Sequence, residues 1–472
     1  MAQDIRIAEI IVEGLHDQFD VELYLQPGLN VIYGKNGRGK TTILHLLANL
    51  LELDFQRFSH LQFRKITIRN SKNEVVELIK SEPGTPPTVS LNGSSTLYTG
   101  PNSTLSEVEV ASLRDALGGR PTYLPAFRSI LERTRADGTP SYYRAQERRD
   151  PDYEELVERE SAALRETFSR ANSLPTYVTR QLQEEVAATA EKTILCRQWF
   201  GRFVPVIRYP SVADVEEALT EEWRRAQIEI TGREQRMFEE TFVRVFRAIS
   251  GLEETPAIEN NENLLASISS LLKDQESQLA STDSRAIYDS LLQSARSLSA
   301  HSPPVRGIDN SLLEIYRQAL EARNTERRNA FQRSRDFEAS INKFLDKKTL
   351  RIGQPVGRPR ARSVVAVATD GGQSYGLSAL SSGERQILTM LYSASRTKFL
   401  SGVFLIDEPE LSLHIDWQRI ILRELRNQSP DRQIIACTHS PEVGADHVLE
   451  IQDFEPRNTP KRPGYLFSDE EL

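Results

Sequence analysis

Gly34-Lys35-Asn36-Gly37-Arg38-Gly39-Lys40-Thr41 fits the pattern GxxxxGK[ST], whose chemistry is that of a phosphate cradle. Glycines let backbone N–H groups curl around a β-phosphate, Lys40 brings a cation to the β- and γ-phosphates, and the Thr41 hydroxyl stands at a helix N-terminus where it can ligate Mg²⁺. The flanks match. Leu29 to Tyr33 reads as a strand and Thr42 to Leu51 as a helix. A Gly-rich turn between a strand and a core helix is the competing reading, and flanks this demanding argue against it. Gly34, Asn36, Gly37, Gly39, Lys40, Thr41 and Thr42 are therefore the expected nucleotide-binding residues.

Two carboxylates follow near the other end of the chain. Val403-Phe404-Leu405-Ile406 is an apolar run closing in Asp407-Glu408, as in a buried central strand whose C-terminal edge faces a nucleotide. There Asp407 would hold Mg²⁺ through water and Glu408 would polarise the attacking water. Taken alone, the hexapeptide could equally be a strand ending in surface acids; the cradle in the same chain favours the catalytic reading. Just upstream, Leu380-Ser381-Ser382-Gly383-Glu384 opens another helix. Ser-Ser-Gly is ordinary N-cap chemistry, yet a Ser hydroxyl at a helix N-terminus also suits a γ-phosphate. About thirty residues after Asp407, Gln433 to Thr438 is one more apolar strand and ends in His439, with a helix from Asp416 to Gln428 between. This βαβ spacing puts His439 at the same sheet edge as Glu408. A lone His at a strand end is more often structural than catalytic, and the neighbouring motifs reverse that preference.

The elements that must position these groups form three stretches. Residues Ile5 to Lys80 read as short strands, with a hairpin between Phe63–Arg69 and Glu74–Lys80 around Asn70-Ser71-Lys72-Asn73. Ser81 to Ser106 is rich in Pro, Gly, Ser, Thr and Asn and reads as a surface loop. From about Ser141 to Lys347 the chain is Glu/Arg-rich with apolar residues at helical spacing. Val215, Leu219, Trp223, Ala226 and Ile230 make one stripe; Phe238, Phe242, Phe246 and Ile249 make another. Ser211 and Asp214 form an acidic variant of the capping box. A last helix, about Asp309 to Leu345, is apolar at both ends but polar from Glu321 to Asn329. At ~1.5 Å per residue it would be roughly 55 Å long, so its waist should project into solvent or pack on a partner.

Composition limits the classes. The chain has 472 residues, 39% hydrophobic and 27% charged, with 59 Lys+Arg against 67 Asp+Glu for a net charge of −8. That is room for two or three domains, part of them long solvated helices. The acidic balance argues against a polycation that coats nucleic acid, although a local basic groove stays open. Two distant cysteines, Cys196 and Cys437, remove disulfide scaffolds and structural zinc. Asp4, Arg6 and Glu9 stand where a secretory signal needs apolar residues, and no apolar run approaches membrane-spanning length. A cytoplasmic protein with no membrane partner is expected.

In their order, the GxxxxGKT cradle, LSSGE, the strand ending in Asp407-Glu408, Pro409-Glu410-Leu411-Ser412-Leu413-His414 and Thr438-His439-Ser440-Pro441 resemble the ABC-type ATPases of the OLD/RecF/SMC group. The resemblance covers Ile5 to about Lys80 and Leu377 to Ile451. It implies an α/β ABC-type P-loop ATPase head, a mixed sheet with an antiparallel β lobe, carrying a large helical, partly coiled-coil insertion. The expected domains are 1–140 and 347–456 for the two parts of the head, 141–346 for the insertion and 457–472 for a tail. It also implies ATP and Mg²⁺ as cofactors, Thr41 and Asp407 as metal residues, and Glu408 and His439 as catalytic residues, His439 being the switch histidine. Ser381 and Gly383 would contact the γ-phosphate held by another subunit, with Leu411 to His414 as the D-loop of a homodimer. One departure is plain: no Q-loop glutamine can be placed, and Tyr123-Leu124-Pro125-Ala126-Phe127-Arg128 occupies the expected region.

Related OLD nucleases carry a Toprim domain after the ATPase, whereas 33 residues follow His439. The chain also lacks the length of a full SMC arm. It resembles instead the ATPase subunits of bacterial anti-phage systems, PARIS (AriA-like) first on size and Septu (PtuA-like) second. By that resemblance it would be a sensor and scaffold controlling a separately encoded effector, a Toprim or HNH nuclease, in response to a phage trigger protein. The alternative is a RecF/SMC-like DNA-repair ATPase that binds DNA directly. A transporter ATPase is disfavoured by the more than 300 residues between cradle and signature. The most basic stretch, Lys343 to Arg362, is either a solvated hairpin or a DNA- or protein-docking surface.

Overall fold

The computed structural model describes residues 5–93, 95–98, 105–128, 131, 150, 152–168, 176–250, 264, 267–268, 270–271, 307–353, 364–395 and 402–459. Arg358, Arg360 and Arg362, part of the most basic stretch of the sequence, lie outside them.

The chain begins with β1 (Ile7–Leu15), β2 (Phe19–Tyr24), β3 (Leu29–Tyr33), α1 (Lys40–Leu51), β4 (Lys65–Asn70), β5 (Val75–Ile79), β6 (Thr88–Leu91) and β7 (Ser95–Tyr98). It continues through α2 (Glu107–Leu117), β8 (Gly119–Leu124), α3 (Asp152–Phe168), α4 (Thr176–Phe200), α5 (Val212–Ile249) and α6 (Gly307–Asn342). The last part holds β9 (Lys348–Ile352), β10 (Val365–Thr369), β11 (Ser374–Tyr375), α7 (Ser382–Ser395), β12 (Gly402–Asp407), α8 (Ile415–Gln428), β13 (Ile434–Thr438), α9 (Pro441–Gly444), β14 (Ile451–Asp453) and β15 (Arg457–Asn458). This is an α/β head with an antiparallel sheet, a parallel sheet and long helices. Two compact units result: one of residues 1–215, 340–349 and 367–472, the other of 216–339 and 350–366.

In the first unit a five-stranded parallel sheet runs in the order β14-β3-β13-β12-β8. Every residue of β12 and β13 is buried, which is why these strands read as unbroken apolar runs. A seven-stranded antiparallel sheet runs β15-β2-β1-β4-β5-β6-β7. Its inward residues meet in register, Ile10 between Leu23 and Ile68 and Val12 between Val21 and Ile66. The buried Gln433 side chain joins the sheets: Nε2 donates to the carbonyls of Ile7 (2.7 Å) and Gln26 (2.8 Å), and Oε1 accepts from Ile7 N (3.0 Å). At the β4–β5 hairpin, Asn70 Oδ1 accepts from the backbone N–H of Lys72 and Glu74 while Asn73 takes φ 65°. The stretch read as a loop, 81–106, contains β6 and β7. β6 pairs with β5, where the buried Val89 meets Leu78, and β7 pairs with β6.

In the second unit, α5 and α6 lie side by side. Trp223 stacks on Phe331 at 6.1 Å, and Arg323 pairs with Glu234 (2.8 Å) and Arg233 with Glu326. The polar waist of α6 is thus matched to polar residues of α5. The second apolar stripe of α5 is not a packing face: Phe238, Phe242 and Phe246 are 74%, 63% and 64% exposed. Among the described residues no helix is long and apolar enough to cross a membrane.

Candidate functional site

Because β3, β13, β12 and β8 are parallel and adjacent, their C-terminal ends open on one edge. Tyr33 pairs with Thr438, Asp407 with Cys437 and Ile406 with Leu124, so residues 34–41, 408–410, 439–440 and 125–128 all emerge there. This is the edge at which open parallel sheets bind ligands. Gly37 and Gly39 take φ 75° and 97°, a region an L side chain enters only with strain. At Gly34 a Cβ would meet Phe454 at 3.1–3.2 Å. The buried Lys40 ammonium donates to the carbonyls of Gly34 (2.6 Å) and Lys35 (2.9 Å), lying across the loop it follows. Asn36 is exposed within the loop and Thr42 sits half-buried in the first turn of α1.

The Thr41 hydroxyl donates to Asp407 Oδ2 at 2.9 Å, joining two motifs 366 residues apart. Asp407 is 1% exposed, and its Oδ1 is buried without a hydrogen-bond partner. Burial, with the charges of Glu408 and Glu410, pushes its carboxyl up to about 6 against the lowering effects of Thr41 and Arg128. A buried carboxylate with one unpartnered oxygen, beside a hydroxyl at a helix start, fits a divalent cation. Thr41 and Asp407 are the residues that would hold Mg²⁺.

Glu408 takes φ 47°, uncommon for a residue other than glycine. The wholly buried Arg128 spans that bend. Its Nη1 donates to the carbonyls of Asp407 (2.9 Å) and Pro125 (3.2 Å), and its Nη2 to those of Glu408 (2.8 Å) and Pro409 (3.1 Å). The Glu408 carboxylate lies 3.4 Å from His439 Nδ1. Glu410, 5% exposed, holds the turn after β13: its Oε1 accepts from Thr438 Oγ1 (2.5 Å), His439 N (3.0 Å) and Ser440 N (3.1 Å), and lies 3.3 Å from His439 Nδ1. Behind the edge, His45 of α1 bonds Tyr123 OH at 2.9 Å, and burial pushes the imidazole down to about 4, so it is neutral.

Ser381 caps α7. Its N–H donates to Glu384 Oε2 (2.6 Å) and its hydroxyl accepts from Glu384 N (3.4 Å), a capping box that Lys348 completes at 3.1 Å from Glu384. Gly383 is required by packing, since a Cβ there would stand 3.0 Å from the Ser412 carbonyl and 3.2 Å from Trp417. The segment Leu411–His414 therefore lies against the start of α7, with Ser412 at φ 63°. Among the described residues no hydrogen bond links Ser381 or Gly383 to residues 34–41.

The structure thus brings together the cradle, Asp407, Glu408 and His439, while Ser381 and the buried Gly383 stand at the start of α7, Gly383 against Ser412 and Trp417. Sequence reasoning assigned no role to Arg128 or Glu410. Both lay inside quoted motifs, but their importance rests on burial against neighbouring strands.

Residues 205–446 match the family model described as "AAA domain, putative AbiEii toxin, Type IV TA system", and residues 14–183 match a second described as "AAA domain". Curated proteins similar to this chain include the "Retron Vc95 probable ATPase" of Vibrio cholerae serotype O1 biovar El Tor, 35% identical over 75 residues, 14% of this chain and 15% of that protein. Another is the "Retron Ec83 probable ATPase" of Escherichia coli, 35% identical over 85 residues, 16% of this chain and 15% of that protein. The chain therefore matches 15% of the length of these curated relatives. Solved structures similar in part include the Smc head domain with an extended coiled coil from Pyrococcus furiosus, 12% identical, covering 96% of both chains at a TM-score of 0.38. The recombination mediator protein RecF is 11% identical over 93% of this chain and 94% of that one, at a TM-score of 0.29. The first family model takes in more than half of the chain, including Asp407, Glu408 and His439, and the second takes in the cradle; the chain belongs to the AAA-domain family described as "putative AbiEii toxin, Type IV TA system".

Proposed function

We propose that this chain is a Mg²⁺-dependent ATP hydrolase that closes into a homodimer on ATP and, in a cytoplasmic anti-phage system, controls a separately encoded effector. One observation supports the hydrolytic part above all: the Thr41–Asp407 contact sets the cradle, the metal residues, Glu408 and His439 at one edge of one sheet. Mg²⁺, when bound, supplies counter-charge to the phosphate oxygens. The residues do the rest. Lys40 and the backbone of residues 34–41 bind the phosphates, Glu408 orients and polarises the attacking water, and His439 beside it senses the γ-phosphate. Ser381 and Gly383, exposed and buried respectively at the start of α7, would complete the site of the partner copy.

The defence role rests on similarity to two retron ATPases and on the name of the matching family. The effector, a Toprim or HNH nuclease, and a phage trigger protein are part of this proposal. Direct DNA binding is the second reading, and the described part of the basic stretch gives it little support. Lys343 faces Glu424 at 2.8 Å, Lys348 faces Glu384 at 3.1 Å and Arg351 faces Glu338 at 3.4 Å. The test is ATP turnover by the purified chain with Mg²⁺ and with chelator, together with co-purification of the adjacent gene product. Turnover indifferent to chelator, or tight salt-sensitive DNA binding with no captured protein, would contradict the proposal.

A further inference from the structure

Arg128 is wholly buried, and its two Nη atoms donate to four carbonyls, three of them in consecutive residues, Asp407, Glu408 and Pro409. Consecutive carbonyls can converge on one guanidinium only where the backbone bends, and Glu408 supplies the bend at φ 47°. Such a conformation costs ~1–3 kcal/mol and persists only where the surroundings hold it. The planar fork of arginine suits the task; a lysine ammonium cannot span it. The neighbouring side chain, Phe127, stacks face to face on Phe200 at 4.0 Å and 11° between planes. Phe200 is the last residue of α4, and it and Trp199 are 43% and 48% exposed.

Resting on the hydrolytic reading above, we infer that Arg128 is the positioning residue for Glu408, and that the Phe127–Phe200 stack makes its grip depend on where α4 ends. The loop 125–128 thereby ties the backbone that carries the water-orienting carboxylate to a helix outside the parallel sheet. Anything that displaces the exposed Trp199-Phe200 end of α4 loosens the bend at Glu408 and slows turnover without touching nucleotide.

The experiment compares the full chain with its Arg128→Lys, Phe127→Ala and Glu408→Gln variants, measuring ATP turnover at saturating Mg²⁺ and the Kd for a fluorescent ATP analogue. Misplacing a reacting group by ~1 Å costs about 100-fold, so Arg128→Lys should lower kcat by about that factor and leave Kd within about threefold. Phe127→Ala, in a stack open to solvent, should lower kcat on the order of 10-fold. Adding Arg128→Lys to Glu408→Gln should cost nothing further, because both act through one carboxylate. If Arg128→Lys does not fold, as the absence of a cooperative melting transition would show, Phe127→Ala and Phe200→Ala decide the matter. Turnover abolished by Glu408→Gln yet unchanged by Arg128→Lys and Phe127→Ala sinks the clamp alone, as does a loss of affinity equal to the loss of kcat. No turnover by the unmodified chain contradicts the hydrolytic reading beneath it.

Discussion

Glu408 and Glu410 stand two residues apart and do different things. Glu408 is strained at the sheet edge beside His439, while Glu410 is buried and accepts three donors from the turn after β13. Glu408→Gln should leave ATP binding intact, lower kcat by about 100-fold or more and cause the ATP-bound dimer to accumulate; size-exclusion chromatography with ATP reads this, and undiminished turnover would remove Glu408 from its role. Glu410→Ala removes the one oxygen that accepts from Thr438, His439 and Ser440, so His439 should shift and kcat fall about 10- to 100-fold. Lys40→Ala removes the one buried cation of residues 34–41 and should weaken ATP binding by about 100-fold, measured by nucleotide fluorescence. Lys40, Asp407 and His439 were legible because their motifs are spacings along the chain. Glu410 and Arg128 were not, since their weight comes from partners 28–30 and 279–281 residues away.

At the scale of elements, the C-terminal end of α1 is held by a buried ionic network. Glu52, 3% exposed, faces Arg208 and Arg120 (2.9 Å), and Arg208 also pairs with Glu160. Burial alone would raise the Glu52 carboxyl; Arg208, Arg120 and Arg114 outweigh it and hold it down to about 2. A depressed folded-state pKa contributes stability that is present above the unfolded value of about 4.5 and is lost as pH falls from there through about 2. Urea unfolding should show this loss between pH 4.5 and 2.5. Arg208→Ala, which takes its ion pair from the buried Glu160 and leaves Glu52 to Arg120, should cost about 3–5 kcal/mol and flatten the profile. The capping box at Ser211 and Asp214 was legible and is present, with bonds of 2.8 and 3.2 Å. So was the hairpin at Asn70–Asn73. β6 and β7 were not, because each is four residues long, too short to show a period in side chains among the Pro, Gly, Ser, Thr and Asn around it. The Phe238-Phe242-Phe246 stripe shows the converse: helical period in apolar residues marks a face, not what covers it.

At the scale of the whole molecule, the α/β head could be read from the order of its motifs, since two ends of the chain that each carry half of a phosphate site must share one sheet. The helices between them resisted such reading. The polar waist of α6 has partners on α5, and neither helix carries a motif. Because Trp223 and Phe331 stack at 6.1 Å, residues 225–329 can be excised there and replaced by a short flexible linker. The shortened chain should bind ATP as before but no longer capture the effector; retained capture would place the effector surface elsewhere. In the proposed dimer each ATP is read by two copies, one offering the cradle and the other Ser381. A Lys40→Ala chain and a Ser381→Arg chain should each be inactive alone. Mixed, they should form heterodimers with one intact composite site and recover up to about half of the turnover per site. Heterodimers shown to form by mass photometry, yet with no recovered ATP hydrolysis, would contradict the account.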